Sequence, residues 1–238
     1  DFLLGTTWKP TNDIYGIFPM ILGSIYVTAG SLIIGVPVGL LCAVYLARFC
    51  PAHIYKYLKP AVDLLAGIPS IVYGFFGLVV IVPIMRDLYG GNGKRVLTSS
   101  ILLGIMILPT LISGGQASIR AVPESYYEGA LALGATPEET VFKVMLPAAK
   151  SGLTAGVILA IDRSIGEAMA VSMVAGNQPI IPDSLFSGVR TLTANIVLEM
   201  GYAADMHREA LRATGVVLFI FILLINLSFS LLRRRDDK

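Results

Sequence analysis

The feature that most restricts this chain is a succession of five long apolar blocks, at about residues 20–47, 60–85, 98–119, 152–176 and 211–232. Each is near or above the roughly 20 residues that a helix needs to cross a bilayer. None alternates polar and apolar residues as the roughly 10-residue strands of a membrane barrel do. Backbone in lipid has to satisfy its own hydrogen bonds, which leaves the helix as the spanning element. Composition agrees: 14% of the 238 residues are charged, against about 25% in a soluble domain. The expected fold is therefore an all-α, polytopic membrane bundle forming one domain over residues 1–238.

Several classes of chemistry are set aside by what the spans leave. A formal net charge of +2 carries no nucleic-acid footprint. Cys42 and Cys50 lie in or beside the first block, with a spacing that suits neither a disulfide framework nor a zinc site. His53 and His207 fall in loops on opposite sides. The run Gly90-Gly91-Asn92-Gly93-Lys94-Arg95 lacks the glycine spacing and following Ser/Thr of a phosphate loop, and reads as an exposed turn. The chain is thus expected to bind no cofactor and to hydrolyse no ATP by itself.

Arg233-Arg234-Arg235 directly follow the last block and mark the cytoplasmic side by the positive-inside rule. Five spans then place the N-terminus outside, with ten Lys and Arg inside against seven outside. The chain opens at Asp1 on a polar stretch without an initiator Met, and a missing sixth, N-terminal span is expected. Glycines and prolines recur inside the blocks, at Gly35, Pro37, Gly67, Pro69, Gly74, Gly77 and Pro109. They suggest either close helix packing or bent helices around a pathway.

The cytoplasmic segment 120–151 is patterned. Glu124 to Leu133 reads as a short helix ended by Gly134, at the position where a left-handed residue stops a helix. Thr136, Pro137 and Glu139 then predict a second helix with a capping box, closed by Pro147. Tyr126, Tyr127, Leu131, Leu133, Val141, Phe142 and Met145 are more apolar surface than a solvated loop carries, which points to a partner's groove.

The fourth block places Asp162, Arg163 and Glu167 near mid-bilayer, where each charge costs at least about 2.5–3.5 kcal/mol and marks a functional site by default. As one helix, the segment puts Arg163 and Glu167 on one face, with the small residues Gly156, Ala160, Ala170 and Val174 along it. That pattern suits a buried ion pair, an anion path in which Arg163 meets substrate and Glu167 neutralises it between passages, or both. Asp162 points about 100° away, toward another helix or subunit.

Residues 128–147, EGALALGATPEETVFKVMLP, resemble the EAA loop of ABC importer permeases through Glu128, Ala130, Gly134, Leu146 and Pro147, with Gly129 departing from the pattern. The stretch Arg163 to Val171 with Gly176-Asn177 is similar to the phosphate permease PstC family, as are residues 65–75, Ile107 to Thr110 and Phe2 to Pro10. Ala168 stands where that family usually has threonine. The resemblance implies a coupling helix, carrying Glu128, Ala130, Leu131, Gly134, Ala135, Thr136 and Pro137, that docks on an ATP-binding subunit dimer. It also implies a PstA-type second permease, an extracytoplasmic phosphate-binding protein, ATP and Mg used only by the partner, and residence in a bacterial inner membrane. Permeases for sulfate, molybdate or phosphonate, and a secondary transporter or channel, remain open on the residues alone. Segment 178–210 reads as one amphipathic helix on the outer face, a candidate dock for the binding protein.

Overall fold

The computed structural model describes residues 2–236, with side chains described through Ser228. Asp1 and the side chains of Arg233, Arg234 and Arg235 lie outside those bounds. A short antiparallel hairpin opens the chain, with β1 (Trp8–Lys9) against β2 (Ile14–Tyr15). Helix α1 (Phe18–Val44) starts with proline in its first turn and runs on through a wide π-type turn, Tyr45–Phe49. Next come α2 (Ala52–Ala66), then α3 (Ser70–Phe76) and α4 (Val82–Tyr89), the last two joined by a second wide turn at Gly77–Ile81. Helix α5 (Val96–Arg120) is followed by the short helices α6 (Glu124–Ala132), α7 (Pro137–Thr140) and α8 (Leu146–Ala148). Helices α9 (Lys150–Gly166), α10 (Met169–Val174), α11 (Leu192–Glu199) and α12 (Asp205–Asp236) complete it.

Helix α5 is the hub. Two thirds (67%) of its most apolar stretch is buried, against 17% for α12. Helices α1 and α5 run parallel, and glycines on α1 let them meet closely. A Cβ at Gly39 would lie 2.7 Å from Leu111 Cβ, and one at Gly35 the same distance from Ile107 Cδ1. Helix α9 packs on the other side of α5 through Gly152, facing Ser118, and Gly156, facing Gly114. The bundle therefore has two ends. The loop end carries α6–α8, and the cap end carries the hairpin and residues 175–204.

Among the described residues, four helices are long and apolar enough to cross a membrane: Phe18–Phe49, Ser70–Tyr89, Val96–Arg120 and Asp205–Ser228. Pro137–Ala148 and Lys150–Gly166 are long and apolar enough only when taken together, and they are bent by 71°. The first and third match the sequence expectation closely; the others correct it. Block 60–85 is not one helix, because Pro69 has no N–H to give and holds Ile68 away from helical backbone. Helix α2 ends at Ala66, α3 starts at Ser70, and Tyr73 donates from its hydroxyl across the gap to the Leu65 carbonyl at 2.8 Å. Block 152–176 also breaks, after Gly166. The last span begins at Asp205, earlier than the sequence suggested.

Segment 178–210 is not one helix either. Pro179 and Pro182 keep residues 177–191 irregular; Val189 returns to bridge Gly176, and the Ser187 and Leu185 carbonyls cap the start of α5. Leu192–Glu199 is a short helix N-capped by Thr191, and residues 205–210 already belong to α12. The Gly90–Arg95 run is a turn with Gly90, Gly91 and Gly93 in the left-handed region, but Arg95 is buried and stacks over Phe186.

Candidate functional site

The charged segment of the fourth span sits at a break in the helix. After Gly166 the backbone of Glu167 is extended (φ −72°, ψ 122°), and α10 restarts at Met169. Two interactions hold the break open. The Glu167 carboxylate accepts from the Ala170 amide at 3.0 Å, close to the positive end of α10, and its carbonyl accepts from Thr193 Oγ1 at 2.9 Å. Arg163 and Glu167 consequently do not share a helical face, and they form no ion pair among the described residues. A carboxylate satisfied at a helix start has no need of the guanidinium.

Arg163 instead turns to α5, where its Nη1 approaches Thr110 Oγ1 at 3.4 Å. Thr110 is next to Pro109, near the middle of the 25-residue α5. Arg163 is half-buried. The Tyr73 side chain lies within its electrostatic reach. Tyr73 itself closes the α2–α3 gap, and α3 packs against α10, the helix that follows the Glu167 break. Gly74 fixes that meeting: a Cβ there would lie 2.9 Å from Ala170 Cα. Irregular backbone at membrane depth is tolerated where it is enclosed by protein or lines a water-filled cavity.

Asp162 goes elsewhere. Both its carboxylate oxygens accept from Asn226 Nδ2 on α12, at 3.0 and 3.2 Å. The small-residue stripe serves neighbours: Gly156 and Ala160 face α5, whereas Ala170 and Val174 face α3 and the Gly77 turn. A hydroxyl contact that the sequence reading missed is Ser164 to Ser31, 3.0 Å, which ties α9 to α1.

At the loop end the local reading holds. Helix α6 stops before Gly134 (φ +90°), and Thr136 and Glu139 form a reciprocal capping box. Lys143, at 2.9 Å, and the Thr136 amide hold the Glu139 carboxyl below its ordinary value. Glu128, Leu131, Gly134, Thr136 and Pro137 are exposed, and Ala130 and Ala135 half-buried. Tyr126, Leu133 and Phe142 are also exposed, forming an unpartnered apolar surface. Val141 and Met145 are not part of it. They are fully buried under Val44, Ile119 and Val122, because the turn after Thr140 rotates them inward.

Sequence reasoning also missed the post that carries α6. Arg48, at the end of α1, donates to both Glu124 oxygens (2.9 and 3.0 Å) and lies over the Tyr127 ring at 5.2 Å. Its place among the positive-inside residues was the available signal. Arg120 similarly binds Tyr55, tying α2 to α5.

The sequence of the family described as binding-protein-dependent transport system inner membrane component matches residues 35–238. The chain belongs to that family. This permease chain is 41% identical over 235 residues to a Bacillus subtilis protein named "Probable ABC transporter permease protein YqgH", covering 95% of this chain and 76% of that one. It is 35% identical over 245 residues to the phosphate transport system permease protein PstC of Mesorhizobium japonicum, covering 94% and 75%. Among solved structures, the inward-facing MetNI methionine ABC transporter superposes with a TM-score of 0.72 at 20% identity, covering 97% of this chain and 99% of that one. An amino acid ABC transporter crystallised with histidines gives 0.63 at 20% identity. These two likenesses establish the permease fold. As an inner-membrane component the chain works with an ATPase, a substrate-binding protein and a second permease, and its family members are transport subunits.

Proposed function

We propose that this chain is the PstC-type permease subunit of an ATP-driven phosphate importer, paired with a PstA-type permease. The observation that supports an anionic substrate is Arg163: a guanidinium at mid-span whose side-chain partner among the described residues is one hydroxyl at 3.4 Å. An unpaired charge at that depth is costly, and a planar donor fork matched to oxyanions recovers that cost when substrate arrives. Phosphate in particular is favoured by the similarity to PstC. Glu167 holds the α9–α10 break that presents Arg163, and Asp162 secures α9 to the last span.

In this reading the loop end faces the cytoplasm. Helix α6 and the following turn, from Glu128 to Pro137, seat in a groove of the ATP-binding subunit dimer. The C-terminal end of α12 and its arginines lie on the same side. ATP and Mg are bound by that partner and none by this chain. ATP binding shifts α6, Arg48 passes the shift to α1, and the bundle alternates between two access states. The test is ATP-driven phosphate uptake by the reconstituted complex, native against Arg163→Ala, with excess sulfate as competitor. The expected result is native uptake that resists sulfate and a mutant that assembles without transporting. Normal transport by the mutant removes Arg163 from the path; abolition of native uptake by sulfate reassigns the oxyanion.

A further inference from the structure

Below Arg163, toward the loop end, a second cation meets the same face of α5. Lys59, on α2, sends Nζ to Ser113 Oγ at 3.1 Å and to Asp63 Oδ1 at 2.6 Å. Ser113 is three residues beyond Thr110 on α5, so the two hydroxyls stand on adjacent turns of one face, about 4.5 Å apart along the axis. Two more turns on, Arg120 donates to the Tyr55 hydroxyl at 3.2 Å and covers its ring. Arg163, Lys59 and Arg120 thus form a descending series of cations along α5, contributed by α9, α2 and α5 itself.

Lys59 does not look like an ordinary surface lysine. Ser113 lies about 10 Å inside the Arg120 end of α5, at a depth where charge facing lipid is disfavoured. Yet α2 has no buried residue, and the Lys59 and Asp63 side chains are 26% and 54% exposed. A helix at that depth that keeps charges on an open face borders water or a polar partner. Asp63 sits one turn along, ready to hold Lys59 when no anion is present.

We propose that Lys59 is a second oxyanion contact on the release side of Arg163, with Asp63 as the counter-ion that an arriving phosphate displaces. The anion would move one turn along α5, from Arg163 and Thr110 to Lys59 and Ser113, before leaving past Arg120. This rests on the phosphate-path reading of Arg163.

The test uses the assembled complex with Cys42→Ala, Cys50→Ala and Ser113→Cys, treated from the loop side with a membrane-impermeant methanethiosulfonate reagent. Inorganic phosphate at about four times its dissociation constant should slow modification about fivefold. The protection should vanish in Lys59→Met, survive in Lys59→Arg and survive in Arg163→Met. Uptake in the Ser113 background should fall about tenfold in Lys59→Met, the scale of losing one charge-assisted hydrogen bond. Protection that persists in Lys59→Met, or a Ser113→Cys that the reagent never reaches, overturns the proposal and leaves Arg163 untouched. Normal uptake by Arg163→Ala instead removes the path reading, while protection at Ser113→Cys still judges Lys59 separately.

Discussion

Arg190 and Arg163 are both half-buried with a carboxylate close in sequence, and the structure treats them in opposite ways. Arg190, at the cap end, is firmly held: it donates to the Asn177 carbonyl, to Asn195 Oδ1 and to Glu199. Glu199 in turn accepts from Trp8 Nε1 at 2.9 Å and binds His207 Nε2 at 2.8 Å. His207 is packed among Trp8, Tyr15 and Tyr202, so the hairpin, the irregular 177–191 segment, α11 and α12 are fastened at one carboxylate. Local desolvation first, and then the Glu199 charge, raise the Tyr202 hydroxyl's pKa above its usual value. Arg163, at mid-span, has one long hydroxyl contact among the described residues, and its sequence neighbour Glu167 is engaged with backbone. A charge met by a carboxylate and two further acceptors holds a structure together. One whose donors are left open is available to a ligand.

The comparison can be broken by mutation. Glu199→Ala strands Arg190 and the indole N–H of Trp8, and should cost about 3–5 kcal/mol, the scale of breaking a buried pair on one side. A large drop in the unfolding midpoint of the purified chain is the expected reading. Arg163→Ala should change stability by less than about 1 kcal/mol, since only one weak neutral-acceptor contact is lost, while uptake disappears. Equal destabilisation by the two substitutions would erase the distinction drawn between them. Arg48→Ala tests a third setting, where one arginine oxygen-binds Glu124 in a half-open site. It should lower transport more than ATPase activity in the complex, and the exchange of Arg48→Glu with Glu124→Arg should restore part of the coupling.

Smaller effects belong to α7. Thr136→Ala removes the cap and should cost about 1 kcal/mol locally, visible as faster amide exchange in residues 138–142. Glu139 gives the pH sign. Its pKa is depressed below the usual glutamate value by Lys143 and Thr136, so its contribution is complete above that usual value. It is lost only as pH falls through the lowered pKa. Protection of α7 should therefore be flat across the neutral range and decline only in acid.

How legible the chain was depended on how local each interaction is. The α6–turn–α7 segment was readable because Gly134, Thr136, Pro137 and Glu139 act on backbone within a few residues, and the structure contains the capping box they spell. Spans one and three were readable from their apolar length. The breaks at 67–69 and 167–168 were only half legible. Gly67 and Pro69 signalled one, but nothing in the residues around Glu167 says that its carboxylate will take the Ala170 amide or that Thr193 will hold its carbonyl.

By itself, then, the sequence determined a helical membrane chain with a capped two-helix loop and charges at mid-span, because hydropathy and capping are short-range. Only the tertiary structure decided what those charges meet. Arg163 meets Thr110, Asp162 meets Asn226, Lys59 meets Ser113 and Glu199 meets Trp8, across separations of 53, 64, 54 and 191 residues. Pairing at such distances is set by how the helices pack around α5, and side-chain spacing along one helix carries no information about it.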